Sequence, residues 1–482
     1  MKRLFLIFIL IVVSSFNALA QDDYRKKFDS FTEAAQVRHS AFRDTVNIIF
    51  AKSISAEWES VNTNDGLLRS NTPDYAVPPV ADATYSYSNK PIQVSDIISP
   101  IPLTWSSGFS SEQRSDTNSK LYKQCDVNLY GVAYSISVPV QLGHFHPDGI
   151  SENSVSAFWS KLGSGDYKVI VTQCERLRTI NKFNDWLVYQ LIIGLAETLF
   201  PNNIHSEQEI FSAFMLNQLG LMARLGRLDN RLTCLIASLQ TIYSRDYVVL
   251  DTYPFYLISD TQATNSSLYT YRTEFPQRLR PFDFRLPQMP IIEELNDNIY
   301  THHSSVMGKD VHFSMSTPLL RMYNSYPQLD VNVYASASLE FNFKQTIINE
   351  INPVLENMTE VDAINYLLKY LHIDFKYQTD IEQFGYEKPF FCEENYKYSY
   401  NDCEDRVILL AQMIRVTLGL DTLILDFDNH VALGVCTKTK IKGDYLTYNG
   451  KTYYVCDPTY IGSTIGMMIP KYKSKPAKVY PL

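Results

Sequence analysis

Three side chains in the C-terminal half of the chain have the types and the order of a thiol acyl-transfer site. They are Cys403, His430 and Asp457, and the spacing from the cysteine to the histidine equals that from the histidine to the aspartate. A cysteine can attack an acyl carbon, an imidazole can take up and return the proton, and a carboxylate can fix the imidazole tautomer. The pattern therefore predicts nucleophilic catalysis through a thioester.

The residues around Cys403 predict the start of a helix. Asn401 or Asp402 suits the N-cap position, and apolar residues recur every three or four positions after the cysteine. The backbone N–H groups and the dipole at a helix N-terminus favour a thiolate. Glu404 and Asp405 oppose it, so the site needs a nearby cation, which the histidine can supply.

The histidine and the aspartate stand at the ends of two predicted neighbouring strands. His430 precedes the apolar segment Val431–Cys436, and Asp457 follows Lys451–Cys456. Asn449-Gly450 comes just before this second segment and is typical of a type I′ hairpin turn. Adjacent antiparallel strands can bring the carboxylate to the imidazole. Because helices precede a run of antiparallel strands, the order indicates an α+β fold.

Four features of this region occur together. They are Cys403 at a helix start, Gly419-Leu420 after that helix, His430 at the next strand, and the closing segment Tyr453–Thr459. In these features the chain resembles the transglutaminase-like superfamily, over roughly Ile351 to Ile469. The form looks like the exported bacterial branch with an Asp-Cys-Glu-Asp-Arg motif.

The resemblance implies a papain-like α+β fold, with helices packed on an antiparallel sheet. It implies Cys403 as the nucleophile, His430 as the base and then the acid, and Asp457 as the residue that orients the histidine. The chain has His430-Val431-Ala432 where the family more often has His-Ala-Trp. This departure leaves the triad intact and changes the neighbouring wall of the substrate site.

An oxyanion hole is also required, because the tetrahedral intermediate carries negative charge. The backbone N–H of Cys403 is one donor. Gln383, in the turn-like segment Asp380–Gly385, is the candidate for the second, with an ordinary loop residue as the equally weighted alternative. Tyr400 is a weaker candidate.

Five short matches recur in the same order in both halves of the chain and predict two tandem copies of one domain. The matched pairs are Asp126–Tyr130 with Asp330–Tyr334, Asp185-Trp186 with Asp362-Ala363, Leu219–Leu221 with Leu418–Leu420, Asp229–Arg231 with Asp428–His430, and Phe255–Leu257 with Tyr453–Val455. An alternating, strand-like segment follows both Asp126–Tyr130 and Asp330–Tyr334. The predicted copies span 111–260 and 328–482, with a proline-containing linker over 261–327 between them.

The first copy lacks the chemistry of the second. The positions of the triad fall near Ser206, on Arg231, and near Ser259 or Asp260. An arginine cannot accept a proton at any usable pH. We therefore expect a degenerate, non-catalytic first copy.

The N-terminal region predicts export. Residues 1–20 have the charge, apolar run and small-residue cleavage site of a secretory signal peptide. A helical arm over 21–60 and a Pro-rich connector over 61–110 follow, the arm being expected to pack on the chain's own domains. The mature protein is thus expected to be periplasmic or secreted.

Composition excludes several classes of function. The formal net charge is −9 with no basic cluster, which disfavours nucleic-acid binding, and no later apolar run is long enough to span a membrane. His144 with His146, and His302 with His303, each lack a third histidine, so no metal site is predicted. No phosphate-binding or dinucleotide motif is present, so no cofactor is predicted.

Seven cysteines in an exported chain invite disulfides, but an odd number leaves at least one thiol unpaired. By strand alternation Cys436 and Cys456 point to opposite faces of the sheet, so no bond is expected between them.

The leading hypothesis is an exported cysteine hydrolase that cleaves peptide or isopeptide amides, with a peptide or protein of the cell envelope or exterior as substrate. Two alternatives remain open. One is a transamidating enzyme, in which a lysine amine replaces water, and the other is a scaffold that binds without turnover.

Overall fold

The computed structural model describes residues 42–68, 75–88, 90–99, 121–201, 205–258, 267–292, 297–427 and 429–482. The predicted signal peptide and the first part of the predicted arm lie outside these residues. The helices are α1 (42–54), α2 (Glu152–Ser164), α3 (Tyr167–Asn181), α4 (Asp185–Leu199), α5 (His205–Gln218), α6 (Thr317–Ser325), α7 (Val331–Ala335), α8 (Phe341–Leu355), α9 (Glu360–Asp374), α10 (Asp380–Phe384) and α11 (Cys403–Thr417).

The strands are β1 (Glu59–Val61), β2 (Val94–Ile97), β3 (Tyr122–Leu129), β4 (Val132–Pro139), β5 (Ala223–Leu228), β6 (Arg231–Ala237), β7 (Tyr247–Leu250), β8 (Tyr253–Leu257), β9 (Leu268–Thr270), β10 (Asp297–Ser304), β11 (Lys309–Ser316), β12 (Lys376–Tyr377), β13 (Tyr400–Asn401), β14 (Thr422–Phe427), β15 (His430–Val435), β16 (Tyr445–Tyr448), β17 (Lys451–Cys456) and β18 (Ala477–Pro481). Most strand pairs are antiparallel. The predicted α+β class is confirmed.

Two six-stranded sheets carry the same order of strands. One runs β7-β8-β6-β5-β9-β1 and the other β16-β17-β15-β14-β18-β2. In each half a hairpin comes first (β3–β4 or β10–β11), helices follow, and a long helix (α5 or α11) leads into the sheet. The two halves of the chain therefore repeat one order of elements.

One of the five sequence matches joins segments of different structure. Asp126–Tyr130 lies mainly in β3, whereas Asp330 is the N-cap of the short helix α7. The strand expected after Asp330 is therefore wrong, and by element order the counterpart of β3–β4 is β10–β11. A five-residue segment takes its structure from its surroundings, and β3 is held extended by full pairing with β4.

Segments expected to be linkers contain strands of both sheets. The stretch 261–327 holds β9, the hairpin β10–β11 and α6, so it is not an unstructured linker. Strand β1 pairs with β9, and β2, from the Pro-rich connector, pairs in parallel with β18. These strands are too short to give a clear alternating pattern in the sequence, and their pairing partners are distant.

The elements that carry the predicted site form as expected. Helix α11 starts at Cys403, and β15 and β17 lie within a residue of the predicted strands. Asn449 and Gly450 have φ of 48° and 74°, which confirms the type I′ turn. Within the described residues no helix has both the length and the apolar character that a membrane span requires.

Candidate active site

His430 and Asp457 are brought together at one end of the second sheet. His430 opens β15 and Asp457 follows β17, and these strands are antiparallel neighbours, with Leu433 opposite Cys456. The Nε2 atom of His430 lies 2.8 Å from Oδ2 of Asp457. Both side chains are buried. The two strand ends are neighbours, as the sequence indicated, and the imidazole and the carboxylate are joined by a direct hydrogen bond.

The surroundings fix both partners. The other carboxylate oxygen of Asp457, Oδ1, accepts the backbone N–H groups of Thr459 at 3.1 Å and Tyr460 at 3.3 Å. The His430 ring stacks on the Tyr472 ring, with centroids 4.8 Å apart and planes at 19°. Because Nε2 is turned to the aspartate, Nδ1 is the ring nitrogen left to serve a thiol.

Cys403 is the first residue of α11 and is 2% exposed. Its thiol donates to Glu404 Oε2 at 3.0 Å, and its sulfur accepts the backbone N–H of Val431. The Val431 contact places the sulfur beside the start of β15. No hydrogen bond joins the sulfur to the His430 ring in the described part of the chain.

The surroundings of Cys403 oppose the thiolate that a helix start favours. Burial raises the pKa of Cys403 well above its ordinary value, and the negative charges of Glu404 and Asp402 raise it further. These effects outweigh the helix N-terminus.

The acidic residues on both sides of the cysteine are buried, not solvated. Asp402, Glu404 and Asp405 are fully buried. Asp405 accepts the backbone N–H groups of Phe390 at 2.9 Å and Asp402 at 3.3 Å. Burial, followed by the charge of Glu404, raises the pKa of both Asp402 and Asp405 well above the ordinary range. Sequence reasoning placed these residues only at a helix start.

Arg406 is a positioning residue that sequence reasoning missed. Its buried guanidinium donates to Asn401 Oδ1 at 3.0 Å, to the Pro458 carbonyl at 3.2 Å and to the Phe375 carbonyl at 2.6 Å. It thereby ties the segment before the nucleophile to the loop that carries Asp457 and to the end of α9. The signal available was a charged residue directly before the apolar run Val407–Ala411.

Gln383 lies near the nucleophile, on the short helix α10. Its side-chain amide donates to the Tyr400 carbonyl at 3.2 Å, three residues before Cys403. The side chain therefore sits against the strand that leads into α11. Its role as an oxyanion donor stays a prediction.

The connector packs on residues next to the site. Ala81 N–H donates to the Ile461 carbonyl at 2.9 Å, and Ile461 N–H donates to Pro79 at 2.9 Å. The Tyr377 hydroxyl donates to the Tyr75 carbonyl at 3.1 Å. Burial, followed by the negative charges that Cys403 and Asp402 would carry, raises the pKa of Tyr377. Cys403, His430 and Asp457 are themselves buried.

The first half places different residues at the corresponding positions. Arg231 opens β6, as His430 opens β15, and Ser206 is the second residue of α5. Residues 259 and 260, the expected counterparts of Asp457, lie outside the described residues.

The histidine pairs are engaged in ordinary contacts. His146 Nδ1 lies 2.7 Å from Glu207, and His303 Nδ1 lies 2.7 Å from Asp310. His302 stacks on Phe375 with centroids 4.6 Å apart. All seven cysteines are free, including Cys436 and Cys456, between which no bond was expected.

No protein-family model matches the chain, and no curated protein or solved structure matches it either.

Proposed function

We propose that the protein is a transglutaminase-like cysteine hydrolase that cleaves a peptide or isopeptide amide through a thioester on Cys403. One observation carries the proposal. A buried His430–Asp457 pair, 2.8 Å apart, stands at the start of the strand whose Val431 N–H contacts the Cys403 sulfur. The tandem arrangement is also part of the proposal: the second domain carries the triad, and the first domain lacks it.

The reaction runs in two halves. The Cys403 sulfur attacks the amide carbon while its proton passes to Nδ1 of His430, and Asp457 stabilises the imidazolium that results. The C–N bond breaks, and the leaving amine takes the proton from His430. Water then attacks the thioester with His430 as base, so that the acid and the free thiol are released. The Cys403 N–H and Gln383 are the proposed oxyanion donors.

Two further candidates share the site. If a lysine amine replaces water in the second half, the same thioester gives an isopeptide bond, and the enzyme cross-links. A scaffold without turnover is the other candidate, and it is favoured by the burial of Cys403 and by the raised pKa of its thiol.

The test is to trap the acyl-enzyme. The full chain is incubated with synthetic peptides that contain ordinary and isopeptide amides, quenched in acid and analysed by intact-mass spectrometry. We expect a hydroxylamine-sensitive adduct on Cys403. It should be absent in Cys403→Ala and retained in Cys436→Ala, which removes a half-buried cysteine at the other end of β15. Added lysine shows whether an amide or a free acid forms.

A chain that binds peptides but forms no adduct in any condition would support the scaffold. An adduct that survives in His430→Ala at the wild-type rate would remove the base from the proposal.

A further inference from the structure

A cavity of about 260 Å³ opens on the first half of the chain, and none of the proposed catalytic residues lines it. Its walls come from α1, the end of α5, β5, the hairpin β7–β8 and the segment that follows β9. In size it lies between the ~150 Å³ of a cavity that holds benzene and the ~300 Å³ at which drug-sized pockets begin. Five aromatic side chains line it: Phe50, Tyr253, Phe255, Tyr271 and Phe275. The cavity therefore suits one aromatic ring with a short polar group.

Arg224 gives this largely apolar cavity a positive charge. The residue is 6% exposed, and its guanidinium carbon lies 4.9 Å from the ring centroid of Tyr271 and 5.6 Å from that of Phe255. Its Nη1 donates to the Tyr271 carbonyl at 2.5 Å, and in the described part of the chain no carboxylate pairs with it. An arginine has five N–H donors, so this single acceptor leaves most of them unused.

Asn217 is a second buried donor among the lining residues. Its Oδ1 accepts the Ala223 N–H at 3.1 Å, and this contact fixes which way the amide is turned. Its Nδ2 has no acceptor among the described residues. A buried donor without an acceptor is destabilising, so an acceptor supplied by a ligand would be favourable here.

The second half of the chain has apolar residues at both of these positions. Arg224 is the second residue of β5, and Leu423 is the second residue of β14. Asn217 is the last but one residue of α5, where α11 has Val416. The repeated order of elements therefore forms without an arginine or an asparagine at these places, and the two polar residues are particular to the first half.

We propose that this cavity binds an aromatic carboxylate, with its carboxylate on Arg224 and Asn217 and its ring among the aromatic side chains. A planar guanidinium can donate two parallel hydrogen bonds to a carboxylate, and a dry surrounding strengthens them. The exposed lining residues Asp251, Glu274 and Arg278 carry charges of both signs, so the buried Arg224 is what selects an anion.

Two sources share this chemistry, a free aromatic amino acid and the C-terminal residue of a peptide. The alternative is that Arg224 only packs between the two rings and the cavity binds no carboxylate. The inference concerns the first half, so it stands or falls independently of the acyl chemistry.

The test is titration of the full chain with N-acetyl-L-phenylalanine and with its neutral amide, followed by calorimetry, thermal unfolding and tryptophan fluorescence. Trp159 reports the cavity, because its ring centroid lies 5.0 Å from that of Phe50 and 6.3 Å from that of Phe275. We expect one acid per chain, a change in fluorescence and a rise in Tm. The amide should bind about tenfold more weakly or less, because it lacks the charged hydrogen bonds.

Arg224→Gln should weaken binding of the acid by about tenfold or more and bring its affinity close to that of the amide. Arg272→Gln removes an exposed guanidinium that does not line the cavity, so it is the matched control and should bind as the wild type does. Cys403→Ala should also bind the acid normally, which separates this site from the fate of the proposed reaction.

Free L-phenylalanine identifies the source. Tighter binding than that of the N-acetyl acid supports the free amino acid, and weaker binding supports the end of a peptide.

Equal binding of the acid and the amide to the wild type, or no saturation by either at millimolar concentrations, would refute the carboxylate site. This comparison needs no variant, so it decides the matter even if Arg224→Gln does not fold. Binding of the acid without any change in tryptophan fluorescence would place the ligand elsewhere on the chain and would also overturn the assignment.

Discussion

At Asp457 one carboxylate performs two tasks, since Oδ2 holds the imidazole and Oδ1 holds the loop backbone. Asp457→Asn keeps the shape but presents an amide where the imidazole needs an acceptor. We expect the rate of thioester formation to fall by roughly 10³–10⁴, with little change in the urea midpoint. Asp421→Asn, which neutralises an exposed ion pair with Lys451, is the matched control and should leave the rate unchanged. A rate within a few-fold of wild type in Asp457→Asn would contradict the assigned role.

Glu393 offers a test of pH dependence away from the nucleophile. Burial raises its pKa to about 7, although it accepts the Glu340 N–H at 2.9 Å. The folded state therefore binds more protons than the unfolded state between about pH 4.5 and 7, and this residue's contribution to stability falls as pH rises through that window.

Glu393→Gln removes the titration. Measured by urea unfolding, wild type should lose about 3 kcal/mol relative to the variant between pH 4.5 and 7. Equal slopes for the two proteins would show that Glu393 ionises normally.

Sequence reasoning found the residues with local signatures and missed those defined by distant contacts. His430, Asp457 and the Asn449-Gly450 turn follow from residue type and strand alternation. The burial of Asp402 could not be foreseen, because acidic residues at a helix start usually face solvent. It depends on Asp380 approaching from another segment.

At the scale of elements, two glycines let the loop after Asp457 cross the turn before β16. A Cβ on Gly466 would lie 2.7 Å from the Gly443 Cα, and Gly466 has φ of +90°. Gly466 N–H donates to Val455, and its carbonyl accepts Asp444 N–H, both at 2.7 Å. The crossing thus fixes the end of the strand from which Asp457 projects.

Gly466→Ala should cost about 2–4 kcal/mol of unfolding free energy, because strain and a backbone clash add. Gly450→Ala is the matched control. Its φ is +74°, but nothing lies within 4 Å of its Cβ position, so the cost should be about 1 kcal/mol. Equal costs in chemical denaturation would mean that the crossing relaxes without strain.

A helix or strand could be predicted as a whole where a single sequence pattern was long enough to define it. Helix α11 follows from apolar periodicity and its N-cap. In α4 and α9 the side chains of Asn184 and Thr359 accept the N-cap hydrogen bonds from the N–H groups of Leu187 and Asp362. Strands β1 and β2 were missed because three or four residues give no periodic signal. Their structure comes from open sheet edges far along the chain.

At the scale of the molecule, the two halves share one continuous hydrophobic core that includes Leu232 and Leu433. Polar contacts also cross between them, such as Asn184 Nδ2 to the Tyr326 hydroxyl at 2.7 Å and the Tyr243 hydroxyl to Asp330 at 2.8 Å. The halves should therefore unfold together.

We expect a single calorimetric transition with equal calorimetric and van't Hoff enthalpies. All four tryptophans precede residue 187, so their fluorescence reports the first half, and thiol labelling of the buried Cys456 reports the second. Coincident midpoints are the expected result. Two separated midpoints would show independent domains.

The pairing of the connector with distant strands has a consequence for how the protein is made. The Tyr85 hydroxyl contacts the Met468 carbonyl, 383 residues along the chain. Strand β2 cannot pair until β18 has been synthesised, and this delay can be calculated. At a ribosomal rate of about 5–20 residues per second, that wait is on the order of 20–80 s. Residues 75–99 therefore remain in the nascent chain without their partners until Asp457 and its loop have been synthesised. The proposed site residues are therefore synthesised before the connector can pair, and β2 is the last strand to join its sheet.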